Sequence, residues 1–290
     1  MGGCVWAGFC TSNEVSRLVA DCRAYNFNAV LVEMRRRGDA FYQPGPGNPD
    51  PRTTALAGDF DALAEIIRQC HTGTPRIEVH CWLVSHFVWA WKRPPEQPGH
   101  VFNRHPEYLT RNSLGQRSLP SGYFLDPGNP EANQWIYDVA KDVVSRYDVD
   151  GLHWDYCRYP ERDSGYNEVA LRRYNEEFGL AGQPAPDDPR FCEWRRQQVT
   201  DFLRWANAGL LAIKPGLVIS AAVFSNLKDA REYLFADWPE WNREGVVDFC
   251  APMDFSADNT NVFFPASGGR VAEPGKPGGL PGAGRLQERD

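Results

Sequence analysis

Residues Asp150–Pro160 read D-G-L-H-W-D-Y-C-R-Y-P, and the reading of this stretch decides the fold. Side chains alternate across a strand, so Gly151, His153 and Asp155 share one face and Leu152 and Trp154 the other. The strand Gly151–Tyr156 carries its carboxylate at its C-terminal end, with Arg158, Tyr159 and Pro160 following at once. In parallel α/β barrels that end of the strand is where chemistry gathers.

Outward from this stretch the chain alternates short apolar runs with amphipathic ones. Val5–Cys10, Asn28–Arg35, Ile77–Val84, Leu217–Phe224 and Val246–Asp254 also read as strands, six in all. Thr11 and Glu14 form a capping box ahead of a helical face of Val15, Leu18, Val19 and Cys22. Asp59–Cys70 places Leu63, Ile66, Ile67 and Cys70 on one side, and Asn129-Pro130 opens a helix whose face runs from Trp135 to Tyr147. A long helix from Phe191 to Ile213 ends at Pro215-Gly216. Strands alternating with helices imply βαβ units and a parallel sheet. Helix-to-strand links are short, whereas Arg36–Gly58, Ser85–Gly128 and Cys157–Arg190 make long strand-to-helix links. Elaboration at one end only predicts an α/β fold of TIM (β/α)8-barrel type, interrupted after its sixth strand. The expected barrel domain spans 1–256. Residues 257–290 read as a tail expected to be disordered, since 11 of the 26 residues from Pro265 onward are Gly or Pro and no periodicity survives.

Composition narrows the function. The 290 residues carry a net charge of −7, which argues against nucleic acid as a partner. No apolar run approaches a membrane span. No G-x-G-x-x-G or Walker sequence follows a strand, so nucleotide phosphates lack a motif. The eight cysteines show no C-x-x-C and read as buried free thiols. No signal peptide is visible in M-G-G-C-V-W-A-G-F-C, and the chain as it stands reads as cytoplasmic. The 10 Trp, 11 Tyr and 16 Phe suit a ligand with flat apolar faces, such as a sugar, as well as a core.

Asp155 is the leading catalytic candidate, because a carboxylate beside aromatic walls can be held protonated as a general acid. Glu33, and Asp254 at the end of V-V-D-F-C-A-P-M-D, are candidates for a second carboxylate. Arg35 shares a strand face with Glu33, and Asp39 and Tyr42 follow in the loop. His80 and Trp82 share a face of the third strand, and Trp89 and Trp91 stand in the loop after it. His153, Trp154, Arg158 and Tyr159 complete the set expected to hold or stack on substrate. An alternative brings His80, His153 and Asp155 onto a cation, as in a metal-dependent polysaccharide hydrolase or deacetylase. A further alternative is a barrel that binds carbohydrate without cleaving it, including an inactive truncated copy.

NAVLVEMRRRGDAFY, EVHCWL, FNRHPEYL, LDPGNPE, YDVDGLHWDYCRYP, GYN, the W-R-R-x-Q-V-T helix, KPGLVISAAV and VVDFCAPMDF occur in that order over about residues 4–256. Together they resemble the bacterial glycosyl-hydrolase-like 10 family. The resemblance implies a TIM-barrel glycosidase with an oligosaccharide or polysaccharide substrate and no cofactor or metal. It implies a β-linked amino-sugar glycan of the bacterial envelope, of peptidoglycan or poly-N-acetylglucosamine type, and a location in the envelope or outside the cell. It places the family's functional aspartate on Asp155, its strand-end Arg and Gly-Asp on Arg35, Gly38 and Asp39, and its H-x-W on His80 and Trp82. Phe255 stands where family members usually carry Tyr.

Overall fold

The computed structural model describes residues 8–255. In chain order the elements are α1 (Ser12–Ala24), β1 (Ala29–Arg35), α2 (Ala62–Thr72), β2 (Glu78–Val84), β3 (Phe87–Trp89), α3 (Val101–Arg104) and β4 (Tyr123–Phe124). There follow α4 (Pro130–Arg146), β5 (Gly151–Asp155), α5 (Glu168–Phe178), α6 (Pro189–Ile213), β6 (Val218–Phe224), α7 (Leu227–Glu232), α8 (Trp238–Arg243) and β7 (Phe249–Met253). β1, β2, β5, β6 and β7 form one parallel sheet in that order. This is the consecutive strand order of a (β/α)8-type barrel, and the barrel is not closed among the described residues.

The helix starts are those their residues dictate. Thr11 and Glu14 satisfy each other's backbone donors at the start of α1. The Asn129 side chain accepts from the N–H groups of Glu131 and Ala132 at the start of α4. Such caps are each worth about 1 kcal/mol. The apolar faces read from the sequence are the buried ones: Leu63, Ile66 and Ile67 on α2, and Trp135, Ile136, Val139, Ala140 and Val143 on α4. They pack against the outward face of the sheet, where Val79, Cys81, Leu83, Leu152 and Ile219 are buried. A smaller cluster of Tyr166, Tyr174, Phe191 and Trp194 joins α5 to the start of α6.

Several expectations change. Of the strand read at Val5–Cys10, residues 8–10 carry no strand and the rest lies outside the described residues, as does the tail 257–290. The long loops hold structure that apolar periodicity did not reveal: the antiparallel pair β3–β4, and α5, opened by its Asn167 cap. Cys22, Cys70, Cys81, Cys157, Cys192 and Cys250 are buried free thiols, but Cys10 is disulfide-bonded. Among the described residues no helix is long and apolar enough to cross a membrane.

Candidate active site

The inner face of the sheet is set by cross-strand register. Glu33 lies opposite Trp82, Trp82 opposite His153, and His153 opposite Ser220, while Val84 lies opposite Asp155. One polar row therefore crosses four strands, and Asp155 stands one step further toward their C-terminal ends. His80 occupies the next row down, opposite Gly151. A Cβ on Gly151 would stand 2.2 Å from His80 Nδ1, so glycine is what lets the imidazole lie flat against the neighbouring strand.

Asp155 is 4% exposed. Trp82 Nε1–H donates to its Oδ2 at 3.1 Å, and the Tyr156 N–H donates to its Oδ1 at 2.7 Å. Burial raises the Asp155 carboxyl above the ordinary carboxylate range; the two donors and the Arg158 charge oppose that rise without cancelling it. The strand end is pinned from β2, because the Ser85 N–H and hydroxyl both donate to the Asp155 carbonyl, at 2.8 and 2.7 Å. The residue that follows, Tyr156, has φ +55°. Its ring stacks on Phe87 at 4.9 Å between centroids.

Glu33 is half-buried and ion-paired with Arg36 at 2.7 Å. Burial lifts its carboxyl, Arg36 opposes the rise, and the charge of Asp155 adds to it. The two carboxylates thus feel each other across β2. Their strands are two spacings apart, about 10 Å between axes.

The Arg158 guanidinium sits beside three rings, 4.6 Å from Tyr156, 5.0 Å from Phe224 and 5.6 Å from Phe124. It donates to the Tyr159 carbonyl at 3.3 Å, and no carboxylate pairs with it among the described residues. Burial lowers its pKa, and Tyr156 and Asp155 pull it back up. A positive charge held on aromatic faces beside Asp155 is placed to meet a polar substrate group.

His153 does not touch the Asp155 carboxylate. Its Nδ1 is 2.8 Å from Ser220 Oγ, and its ring meets Trp82 edge-on at 5.8 Å. Burial, with the His80 charge second, brings its pKa down to about 4, so it stands neutral and supports the indole that holds Asp155. His80 Nε2 lies 3.2 Å from Glu78, and its buried Nδ1 has no partner among the described residues.

Five expected substrate contacts lie away from Asp155. A register irregularity between Glu33 and Arg35 breaks the alternation, and Arg35 turns away from the barrel interior. It is fully buried, paired with Asp50 at 2.5 Å and bonded to the carbonyls of Val84 and Ser85. Trp154 lies on the helix side of β5, fully buried, donating to Asn207 of α6 at 2.8 Å. Tyr42 is fully buried, its hydroxyl accepting from Asn48. Tyr159 is fully buried beside Asp126 at 3.4 Å and Phe235. Asp254 is exposed just past β7. Asp39 belongs to a neighbouring cavity rather than to the row around Asp155. His80, His153 and Asp155 do not converge on a cation site: among the described residues no three His, Cys, Asp or Glu side chains come together as metal ligands. In their place the structure supplies Tyr156, Phe87 and Phe224 as walls of the mouth. Only the adjacency of Tyr156 to Asp155 signalled any of them.

The profile of a family described as glycosyl hydrolase-like 10 matches residues 5–261. The chain is 26% identical over 260 residues to the glycosyl hydrolase YngK of Bacillus subtilis (strain 168), covering 83% of this chain and 48% of that protein. It is 26% identical over 259 residues to the glycosyl hydrolase DigH of Escherichia coli (strain K12), covering 78% and 54%. The chain therefore spans about half the length of these curated relatives. Among solved structures, the PgaB (BpsB) glycoside hydrolase domain from Bordetella bronchiseptica superposes with a TM-score of 0.61 at 16% identity, over 85% of this chain and 71% of that one. The alpha-L-fucosidase isoenzyme 2 from Paenibacillus thiaminolyticus gives 0.57 at 18% identity, over 74% and 30%. At these identities the likeness is one of fold.

Proposed function

The chain belongs to the glycosyl hydrolase-like 10 family, and on that footing we propose that it forms the catalytic barrel of a glycosidase. Its substrate in this reading is a β-linked amino-sugar glycan of the bacterial envelope, of peptidoglycan or poly-N-acetylglucosamine type. The observation that carries the reaction is the state of Asp155: a buried carboxyl at a strand's C-terminal end, raised toward protonation, with two donors fixing its direction. Such a group delivers a proton to a leaving glycosidic oxygen. The envelope glycan is supported by the family match and by the resemblance that the ordered motifs from NAVLVEMRRRGDAFY to VVDFCAPMDF carry.

In this mechanism Asp155 gives its proton to the bridging oxygen as the bond to the anomeric carbon breaks. Water adds to that carbon, and its proton passes to Glu33, the second carboxylate. Arg158 and Tyr156 hold the sugar at the mouth, and Trp82 keeps the Asp155 carboxyl aimed. Two carboxylates on strands separated by a third suit the wider, inverting arrangement, in which a water fits between them.

The test is release of reducing ends from peptide-free peptidoglycan glycan and from partly deacetylated poly-N-acetylglucosamine. The wild-type chain is expected to cleave one of them and the Asp155→Asn variant neither. Equal turnover by the two proteins would remove Asp155 from the mechanism, and binding without cleavage by the wild type would overturn hydrolysis.

A further inference from the structure

Beside the mouth lies a cavity of about 480 Å³ built from the loops after β1 and β2, lined by Asp39, Thr53, Trp89, Trp91, Gln97 and His100 among others. We infer that it is a second sugar subsite, which holds a pyranose ring of the same glycan at a distance from the bond being cut. The inference rests on the glycosidase reading above and adds to it a place and a set of residues.

The cavity is built as a binding site. Trp89 and Trp91 meet edge-on, 4.8 Å between centroids and 69° between planes, which makes a corner of floor and wall. The Trp89 N–H is already taken by the Arg93 carbonyl at 2.7 Å, so that ring is held in place before any ligand arrives. Trp91 is 50% exposed, a large aromatic surface open to solvent. Asp39 takes the Arg37 N–H at 3.3 Å on one oxygen, and its other oxygen has no hydrogen bond among the described residues. A carboxylate accepts from paired hydroxyls, and aromatic faces take the C–H face of a sugar ring. Concave sites with aromatic walls and a few placed polar groups are the usual form of a small-ligand pocket.

The positioning of Asp39 has its own cause. Gly38 has φ +76°, and a Cβ there would stand 3.0 Å from the His100 ring. His100 accepts the Phe102 N–H on Nδ1 at 3.1 Å, which leaves Nε2 to donate to the Arg37 carbonyl. The turn that presents Asp39 is thus clamped on both sides.

Two features join the cavity to the mouth. On β3, Phe87 and Trp89 are half-buried around a buried Val88, and a register irregularity between them sets Phe87 opposite Phe124 and Trp89 opposite Tyr123. Phe87 stacks on Tyr156 next to Asp155, and Trp89 lines the cavity. Arg37 stands 4.6 Å over Trp91, and its charge interacts with Glu33 and Tyr156. β3 and Arg37 therefore span from the aromatic wall beside the catalytic carboxylate to the second pocket.

The experiment measures calorimetric affinity for oligosaccharides of peptide-free peptidoglycan glycan and of partly deacetylated poly-N-acetylglucosamine, dimer through hexamer. It uses the Asp155→Asn protein, with and without Trp91→Ala or Asp39→Asn. Affinity is expected to rise with chain length on Asp155→Asn alone. Each added substitution should remove about a tenfold part of that gain, the weight of one stacked or charge-bonded contact, and leave the dimer unchanged. Equal affinities for the hexamer with and without the added substitutions would overturn the subsite. So would an equal loss for the dimer, which would put these residues in the central site. If wild-type protein neither binds nor cleaves any oligomer while it cleaves another glycan, the subsite falls and the glycosidase reading stands. No cleavage of any glycan sinks both.

Discussion

Two carboxylates stand near the C-terminal rim of the same sheet and live under opposite conditions. Asp50 is fully buried with all its demands met: Arg35 donates to one oxygen at 2.5 Å and the Trp135 indole to the other at 2.7 Å. Asp155 is almost as buried, yet it has an indole, one backbone N–H and no ion pair among the described residues. Burial without full compensation raises a carboxyl's hold on its proton, and burial with a guanidinium locks a structure. The difference separates a group available for chemistry from one committed to holding β2 against the loop after β1.

The comparison is tested by three substitutions. Asp155→Asn is expected to lower glycan cleavage by about a thousandfold, the scale of a general acid. Its melting temperature should be unchanged or raised. The raised pKa of Asp155 means that its contribution to stability is complete below the unfolded carboxyl's pKa and is lost as pH rises through the folded value. At neutral pH a neutral amide escapes the penalty of burying a charge. A lower melting temperature would show that Asp155 is structural after all. Asp50→Asn should do the reverse, destabilising by about 3–5 kcal/mol through an uncompensated buried guanidinium, read by denaturant unfolding. A loss under 1 kcal/mol would show that the pair holds little. Trp82→Phe is the mildest. Removing an N–H that favours ionised Asp155 should move the alkaline limb of the pH–rate profile upward and cost about tenfold in rate. A limb that stays in place would show that the indole does not tune the acid.

How much of this was legible in the residues follows from which regularities the chain keeps. Strand alternation placed His80, Trp82, His153 and Asp155 on one face, and the register confirms it. The same alternation puts Trp154 on the opposite face, so it packs on α6, against its expected stacking on substrate. Arg35 defeated the pattern because a single irregularity after Glu33 shifts parity, and nothing in E-M-R-R-R announces a bulge. Tyr42 and Tyr159 lie in loops, where no period exists to say which way a ring turns. Asp39 was visible as a polar loop residue, but most of the cavity around it is made by residues fifty or more positions away. Tertiary closure of that kind leaves no local trace.

Tyr156 sets a local backbone cost against a local gain in packing. A non-glycine residue at φ +55° carries a conformational cost of about 1–2 kcal/mol. A glycine would relieve it while losing the ring that stacks on Phe87 and carries Arg158. The strained backbone is therefore held by the contacts that the ring makes beside Asp155, and turn and ring are one device.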